Sequence, residues 1–406
     1  MVSSYISGAL AEKLVELLRR AEERVKNLGR EIRGDPLKHV GFVDGSYVLE
    51  ERRGACLVLF SAASLEVVRG EMRSRMGGNR RPVVHVLAPK SYSESRASLL
   101  MSVLELLAAI DLVRSGAEAV FLDGSYVSAL MEPFGFAEKV YSAAHRAGRT
   151  ALNTQLLNRV GADARRSVQS VLEDRDPYSQ FTRILATIGK YASELYEGLY
   201  GGVEEPRWRK EALDYSLVYL EETAYLTVLH SLLGEAESRG VSLYWVAKDT
   251  ESRYITEKEG VLGWLNDVML LDYAWRGVGG VYTELKGQTF GKPKGMVAYR
   301  YLIDEVYAKW NRYSVVYFKL SKHGVVSQIT YPTALPAALH RALATLSALS
   351  DSLHGYPRPL NYVHNVAVLN PALARVLADE MHRRLESEDI LRYMLAPSGR
   401  RMLGLA

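Results

Sequence analysis

The pentapeptide Asp-Gly-Ser-Tyr-Val occurs twice in this chain, at Asp44–Val48 and again at Asp123–Val127. Each copy follows an apolar run, 39–43 before the first and 117–122 before the second. Such a run, bounded by Asp-Gly, predicts a buried strand that ends in a carboxylate and a turn. Asp-Gly is also a common hairpin turn, so a plain turn is the simpler interpretation of either copy taken alone. Two strand-end carboxylates, however, can converge on one divalent cation.

The composition is typical of a soluble globular protein, with 48% hydrophobic and 24% charged residues among 406. This length allows one large domain or two ordinary ones. The formal net charge of +4 does not exclude nucleic acid as a partner. Because Cys56 is the single cysteine, these residues form no intrachain disulfide and no cysteine-based zinc site. Its apolar surroundings predict a small core residue.

The sequence shows no sign of a membrane span or an export signal. It has no stretch of about 20 uninterrupted apolar residues, which a transmembrane helix needs. Residues 10–20 mix charged and apolar residues at helical spacing, unlike a signal peptide. We therefore expect a cytoplasmic protein. Sparse Cys, Asn and Gln with abundant Arg, Glu and Tyr suit a thermophile.

The periodicity of apolar residues divides the chain into four segments. We predict an N-terminal helix in 1–35, the first half of an α/β core in 36–134, a large helical insertion in 135–240, and the second half of the core with C-terminal helices in 241–406. We expect one interrupted domain. Strands are predicted over 39–44, 46–51, 54–62, 82–88, 118–123, 241–247, 297–303, 313–320 and 325–331. Helices are predicted over 4–33, 136–147, 161–174, 180–199, 209–239, 334–353, 359–368 and 371–388. A further strong helix is predicted between a cap at Ser91 or Ser93 and a closing Gly116.

The segment Arg69–Arg81 is rich in glycine and arginine. This composition predicts a flexible basic loop between two strands. Arg75, Arg80 and Arg81 would be useful near phosphates, but a solvated loop tip explains them equally well.

Glu105 is the only charged residue between Ala97 and Ile110. A helix that is apolar on nearly all sides is predicted to be buried, and a carboxylate on it must be paired or metal-bound to avoid a penalty of several kcal/mol. The alternatives are a narrow exposed stripe on the helix or a pair with an arginine.

The three acids follow the order strand, helix, strand along the chain: Asp44, Glu105 and Asp123. RNase H-like folds assemble their carboxylates in this order, from the first strand, the first helix and the fourth strand. The additional strand predicted over 82–88 departs slightly from the minimal pattern. A nuclease needs such an arrangement, because acidic ligands hold the divalent cations that polarise a phosphodiester.

Basic residues follow a later predicted strand. Lys248 comes directly after 241–247, and Arg253 comes shortly afterwards. A lysine at a strand end beside an acidic site can contact a phosphate. The alternative is a surface lysine paired with Asp249 or Glu251.

The segment from Gly355 to Asn365 reads Gly-Tyr-Pro-Arg-Pro-Leu-Asn-Tyr-Val-His-Asn. Its two prolines predict a rigid turn, and Pro359 can begin a helix that carries His364. A lone histidine is more often structural than catalytic, but this one follows Tyr356 in the turn.

Together and in this order, these motifs resemble the NurA nuclease family over about residues 36–370. The resemblance implies an RNase H-like mixed sheet flanked by helices, similar to the PIWI domain of Argonaute. It implies a manganese-dependent deoxyribonuclease with 5′ to 3′ exonuclease and single-strand endonuclease activities on single- and double-stranded DNA. It also implies a homodimer that works with a hexameric HerA-type translocase in DNA end resection for recombinational repair, in archaea and bacteria.

Individual residues of this chain match the family's motifs. Asp44, Glu105 and Asp123 match its acidic ligands, and Tyr356 and His364 match its C-terminal pair. The surrounding motif of Glu105 is only a glutamate in an apolar helix.

Glu94 is therefore an alternative for the helix ligand. The N-terminal helix and the helical insertion carry no residue that can be matched individually. Lys248 is a loose match, and Arg253, Arg75, Arg80 and Arg81 are further candidates for binding the DNA backbone.

The expected reaction is phosphodiester hydrolysis in DNA. Asp44 and Asp123 would hold a divalent ion, with Glu105 and His364 completing one or two metal sites. Carboxylate and water ligands suit Mn²⁺ or Mg²⁺, and one imidazole favours Mn²⁺. Tyr356 would orient His364 or contact a phosphate.

Two other function classes remain open from the sequence. An actin-like phosphotransferase also has an Asp-Gly turn that meets phosphates, but it has two similar halves. Here strands are predicted after the first Asp-Gly-Ser and helices after the second. A non-catalytic scaffold that docks DNA or a motor ATPase would bind no metal and would lose only stability when Asp44 is replaced.

Overall fold

A mixed β-sheet with helices on both faces forms the protein, as seen in a computed structural model that describes residues 8–77, 82–131, 134–146, 153–200, 206–260, 265–292, 297–386 and 389–397. The strands are β1 (Arg30–Glu31), β2 (His39–Glu51), β3 (Cys56–Val68), β4 (Glu71–Gly77), β5 (Val83–Leu87), β6 (Ala119–Asp123), β7 (Ser242–Ala247), β8 (Val281–Thr289), β9 (Arg312–Lys319) and β10 (Ser327–Pro332). The helices are α1 (Gly8–Val25), α2 (Ser93–Arg114), α3 (Tyr126–Met131), α4 (Phe134–Arg146), α5 (Thr154–Val171), α6 (Pro177–Tyr200), α7 (Pro206–Arg239), α8 (Tyr254–Lys258), α9 (Asp267–Ala274), α10 (Arg300–Trp310), α11 (Leu339–Ala348), α12 (Arg358–Ala367), α13 (Pro371–Arg384) and α14 (Ile390–Met394).

The strands pair in the order β1-β8-β9-β10-β7-β6-β2-β3-β4, with β5 also on β3. The central strands β2, β6 and β7 are parallel to one another, whereas β2 and β3 form a long antiparallel hairpin. Strand β6, which precedes helices α4 to α7 in the chain, therefore pairs directly with β7, which follows them. The predicted class, a mixed sheet flanked by helices, is confirmed.

The two faces of the sheet bury different sets of side chains. Val43 and Val120 point to the face covered by α2, in the larger hydrophobic cluster. Phe42, Phe121 and Tyr244 point to the other face, where their rings stack in sequence with centroids 5.1 and 5.4 Å apart. Helix α12 packs on this second face. Alternation along each strand thus decides which helix a given side chain can meet.

The first Asp-Gly-Ser is not the turn that the sequence suggests. Strand β2 continues through it for 13 residues, and Asp44, Gly45 and Ser46 are each paired with a residue of β3. Long pairing with β3 overrides the local turn preference of Asp-Gly. The second copy does end its strand, because the chain leaves β6 at Gly124, whose φ of 100° is in the left-handed region.

The basic segment 69–81 is also more regular than predicted. Only Arg69 and Gly70 form a turn, with positive φ at both, and 71–77 is strand β4 paired to β3. Arg80 and Arg81 lie outside the described residues.

Three other local predictions were wrong. The helix predicted over 4–33 ends at Val25 among the described residues, and Arg30–Glu31 forms the short strand β1. The strand predicted over 297–303 is instead a short irregular stretch, 297–299, followed by the start of helix α10 at Arg300. Strand β8 was missed, because Val281–Thr289 carries charged and polar side chains at half-exposed positions instead of a clear apolar alternation.

The helical segment agrees with its predicted pattern. Helices α4, α5, α6 and α7 occupy the four predicted stretches, and α7, of 34 residues, packs on α2, α5 and α6. None of the helices in the described ranges has the length and hydropathy to cross a membrane.

A buried ion pair joins α2 to α7. The guanidinium of Arg96 donates to Glu221 through Nε, at 3.0 Å, and through Nη2, at 2.7 Å, and its Nη1 donates to the carbonyl of Pro89. Both side chains are at most 4% exposed. A second pair between the same helices, Arg114 with Glu235, is about one quarter exposed.

Replacement of Arg96 by Met should lower the free energy of unfolding by about 3–5 kcal/mol, because it leaves the Glu221 carboxylate buried without its partner. Arg114→Met, the matched control at the exposed pair, should cost about 1 kcal/mol. Urea unfolding followed by circular dichroism measures both. Equal losses in the two variants would contradict this account, and Arg96→Met/Glu221→Leu should recover part of the stability.

Candidate metal centre

Parallel pairing of β2 and β6 brings the two motif carboxylates together. Val43 is in register with Leu122, so Asp44 and Asp123 are the next residues on neighbouring strands. By alternation both carboxylates point to the face that carries Phe42. Asp44 is mid-strand and 5% exposed, whereas Asp123 ends its strand with a side chain 27% exposed.

Helix α12 supplies the third group. Leu360 and Val363 are buried against the sheet and fix the helix there. His364, on the next position, places Nδ1 2.8 Å from Oδ2 of Asp44. One ligand atom from each of Asp44, Asp123 and His364 lies within 4.8 Å of the other two. Two carboxylates and one imidazole at this spacing fit a divalent ion such as Mn²⁺.

The electrostatics of Asp44 also fit a cation. Burial raises the pKa of the Asp44 carboxyl, and the neighbouring Asp123 carboxylate raises it further. The hydrogen bond and charge of His364 lower it, as does the Gly45 N–H, yet the pKa stays above its ordinary value. The protein's own groups therefore do not fully stabilise the ionised Asp44 carboxylate, and a bound cation would supply the missing stabilisation.

Lys248 and Tyr356 complete the same side of the centre. The Lys248 ammonium lies 4.0 Å from Oδ2 of Asp123 and 5.0 Å from the centroid of the Tyr356 ring. The Tyr356 hydroxyl is buried without a hydrogen-bond partner in the described part of the chain. Burial, with Asp123 and Asp44 adding to it, raises the pKa of Tyr356. The hydroxyl thus makes no direct hydrogen bond to His364.

Glu105 approaches from the other face of the sheet. It belongs to α2, lies half-buried, and lines a cleft of about 400 Å³ together with Asp44 and Asp123. It is not part of the three-residue group within 4.8 Å. Its side chain lies against Gly45, where a Cβ would be 2.7 Å from the Glu105 Oε1. A larger residue at this position would force the Glu105 carboxylate to shift from where it lies beside β2.

Glu94, the alternative helix ligand, is exposed in the first turn of α2 and does not line the cleft. Eleven residues along a helix correspond to about 16 Å. The geometry favours Glu105.

The predicted phosphate-binding residues are more scattered. Arg253 is exposed just before α8. Arg75 forms a two-fold hydrogen-bonded pair with Asp111, at 2.8 and 3.0 Å, and is not among the residues that line the cleft. Sequence reasoning missed Tyr225 and Trp245 as lining residues, because both occupy positions that read as ordinary core.

Comparison with known proteins decides the family. The NurA domain model matches residues 38–369, most of the chain. This chain belongs to the NurA family of nucleases. The family resemblance of the sequence motifs is therefore confirmed. No curated protein sequence matches it.

Solved NurA structures share the fold at low sequence identity. A crystal structure of NurA bound to dAMP and manganese is 15% identical, with 96% of this chain and 99% of that chain covered and a TM-score of 0.65. The NurA nuclease from Sulfolobus solfataricus is 15% identical, with coverage of 95% and 97% and a TM-score of 0.58. NurA with manganese is 15% identical, with coverage of 93% and 99% and a TM-score of 0.56. The mixed sheet flanked by helices that the sequence predicts is thus the fold of these NurA structures.

In this NurA family member, Gly45→Ala should lower the rate of DNA cleavage by about 10-fold or more, because the new methyl displaces Glu105 and Met101 from the cleft. Steady-state kinetics on a labelled oligonucleotide measures the change. The matched control is Gly41→Ala on the same strand, where the methyl would meet Leu112 of α2 at 2.7 Å, away from the cleft. A similar loss of stability with unchanged cleavage is expected for it, and equal losses of cleavage would refute the role of Gly45.

Asp44→Asn should raise the thermal unfolding midpoint in EDTA at pH 7 and should abolish stabilisation by Mn²⁺. Since the folded-state pKa of Asp44 lies above the ordinary 3.8, the free energy of unfolding falls as pH rises through that raised value. The neutral amide removes this penalty together with a metal ligand. In the wild type, Mn²⁺ at 100 times its Kd should add about 2.7 kcal/mol. Differential scanning fluorimetry across pH checks both effects, and an unchanged Mn²⁺ response in the variant would refute the site.

Proposed function

We propose that this protein is a metal-dependent DNA nuclease whose centre is built by Asp44, Asp123 and His364. The supporting observation is that ligand atoms of all three lie within 4.8 Å of one another. Asp44 and Asp123 line a cleft together with Lys248. Two acids and an imidazole on the end of a parallel strand pair suit phosphodiester hydrolysis better than nucleotide-dependent phosphoryl transfer.

Mn²⁺ is the proposed cofactor, with Mg²⁺ as the alternative. When bound, such an ion supplies an activated water and stabilises the charge that develops on the phosphate. Asp44 and Asp123 would hold it between their carboxylates, and His364 would contribute a ring nitrogen. Glu105, reaching past Gly45, would serve a second ion or position the attacking water from the opposite face.

Lys248 and Tyr356 are the proposed phosphate contacts beside the centre. The ammonium of Lys248 is held between Asp123 and the Tyr356 ring, so it can pair with a phosphate oxygen without large movement. Because the pKa of Tyr356 is raised, its hydroxyl stays protonated and can donate a hydrogen bond. A phosphate oxygen would satisfy the buried hydroxyl that has no partner among the described residues.

Backbone contacts away from the centre would come from Arg253, from Arg75 of β4, and from Arg80 and Arg81, which lie outside the described residues. Such contacts are independent of sequence and weaken as salt rises. To contact a phosphate, the Arg75 side chain would have to break its hydrogen bonds to Asp111.

The detailed activities proposed here are those that the resemblance of the sequence motifs to the NurA family implies. We propose 5′ to 3′ exonuclease and single-strand endonuclease activities on single- and double-stranded DNA, in a cytoplasmic homodimer that works with a hexameric HerA-type translocase during DNA end resection for recombinational repair. The alternatives are a scaffold that docks DNA or the ATPase without chemistry, and a phosphotransferase.

Digestion of end-labelled single- and double-stranded DNA with Mn²⁺, Mg²⁺ or EDTA tests this proposal. Cleavage should require the metal and should fall by about 100-fold or more in Asp44→Asn and Asp123→Asn, because each loses a metal ligand. The ladder from each labelled end gives the polarity. A parallel reaction with the purified HerA-type ATPase should show faster cleavage, and no change in either partner's activity would contradict the partnership.

Two matched variants serve as controls. Asp249→Asn removes an exposed acid from the same cleft, and Glu94→Gln removes the other acid of α2, so both should cleave at wild-type rate. Glu105→Gln should be impaired. Cleavage that survives both Asp44→Asn and Asp123→Asn would rule out the proposed nuclease centre. Tight nucleotide binding without cleavage would favour the phosphotransferase.

A further inference from the structure

Lys248 lies on a loop that has no regular secondary structure of its own. The loop, residues 248–253, runs from the end of β7 to the start of α8. Its first residue carries the ammonium that lies 4.0 Å from Oδ2 of Asp123. A lysine side chain that is 38% exposed can adopt many rotamers, and ordering it on binding a ligand costs free energy. The position of the loop backbone therefore decides whether this ammonium lies ready beside the metal centre.

One residue of β10 holds both ends of this loop. The backbone of Gln328 pairs with Ala247, the residue directly before Lys248. The side-chain Nε2 of Gln328 also donates to Oγ of Ser252 near the far end of the loop, at 2.7 Å. Gln328 is 2% exposed, and its strand is paired on both sides, with β7 and with β9. The loop is thus attached to a fixed point of the sheet.

A buried carboxylate provides a second point of attachment. Asp267, the first residue of α9, is fully buried and accepts the N–H groups of Ile255 and Thr256, at 3.0 and 2.8 Å. Its own backbone N–H donates to the carbonyl of Ser252, at 2.9 Å. A carboxylate buried this deeply is unfavourable unless its hydrogen-bond donors stay in place. Burial of Asp267 therefore favours one position of the chain from Ser252 to Thr256.

Tyr317 of β9 connects this carboxylate to the side chain of Ser252. Its hydroxyl donates to Oδ2 of Asp267, at 2.5 Å. Because this proton is committed, the Ser252 hydroxyl, 3.0 Å away, must donate to the Tyr317 oxygen. The Ser252 oxygen then accepts from Gln328 and from the hydroxyl of Thr250, the latter at 2.8 Å. Each of these hydrogen bonds has one direction, so the side chain of Ser252 is fixed as well as its backbone.

We propose that Asp267 and Tyr317 are positioning residues that hold Lys248 at the metal centre. Both are fully buried and neither lines the cleft of the metal centre, so their effect on DNA must pass through the loop. The inference rests on the proposed function, in which Lys248 binds a phosphate oxygen beside Asp123. Because the loop is ordered before DNA arrives, less free energy is lost on binding, and the ammonium binds the phosphate more tightly.

A purely structural role for Asp267 makes a different prediction. By accepting the N–H groups of Ile255 and Thr256, the carboxylate also stabilises the start of the short helix α8. That role alone would lower stability without acting on Lys248. Tyr317→Phe separates the two roles, because it removes the hydroxyl that holds Ser252 and leaves both N–H groups on the carboxylate.

A double-mutant cycle between Tyr317 and Lys248 tests the proposal. Full-length protein is titrated into a dye-labelled single-stranded oligonucleotide in EDTA, and anisotropy gives the Kd at several salt concentrations. Lys248→Met should weaken binding by about 10-fold. It should also lower the slope of log Kd against log salt by about 0.7, the value for one phosphate contact on a single strand.

Tyr317→Phe should weaken binding by about 2–10-fold, the cost of ordering one released side chain. In the Lys248→Met background, the same change should alter the Kd by less than about 1.5-fold, because no ammonium remains to be positioned. A purely structural effect would be the same in both backgrounds.

Tyr219→Phe is the matched control. Tyr219 is 2% exposed, and its hydroxyl donates to the carbonyl of Leu157, between α7 and α5. This variant should bind DNA like the wild type. If Tyr317→Phe does not fold, Ser252→Ala takes its place in the cycle, and Ser252→Thr, which keeps a hydroxyl, should retain wild-type binding.

Equal weakening by Tyr317→Phe in both backgrounds, or unchanged binding in Tyr317→Phe alone, would overturn the positioning role. The result for Lys248→Met separates this failure from that of the proposed function. An unchanged salt slope in Lys248→Met would remove Lys248 as a phosphate contact, and the positioning role with it. Cleavage with Mn²⁺ that is lost in Asp44→Asn would support the nuclease centre in either case.

Discussion

Parallel pairing between β2 and β6 is the constraint on which the rest of the structure depends. It places Asp44 and Asp123 side by side on one face of the sheet, at a point where only one of the two strands ends. Like charges so close and so poorly hydrated are unfavourable unless a cation or a proton joins them. The paired residues, 40–43 of β2 and 119–122 of β6, are apolar and buried, and their burial offsets this local cost. The core therefore stabilises an arrangement that the site alone could not hold.

Some buried charged and polar groups of the molecule are fully paired, whereas others lack sufficient partners. Arg96 and Glu221 satisfy each other deep between two helices and serve the fold. At the metal centre, Asp44 keeps a raised pKa despite His364, and Tyr356 keeps a buried hydroxyl without a partner in the described chain. Native proteins retain such defects at functional sites, where a ligand completes the interactions.

Side chains from both faces of the sheet surround the motif acids. His364 of α12 bonds Asp44 on one face, and Glu105 of α2 lies against Gly45 on the other. Past Gly124 a second space, lined by hydroxyl and acidic side chains, adjoins the cleft of the motif acids.

The sequence by itself determined the motif acids, the apolar helix that carries Glu105, the helical stretch before β7 and the rigid turn before His364, because these depend on local periodicity and on turn-forming residues. Only the tertiary structure decided that the first Asp-Gly-Ser lies inside a strand, since pairing with β3 is not visible in local preference. It also decided that Glu105 stands apart from the close group of three, and that Gln328 and Ser252 meet. Those distances depend on strand register and helix position, which join residues far apart in the chain.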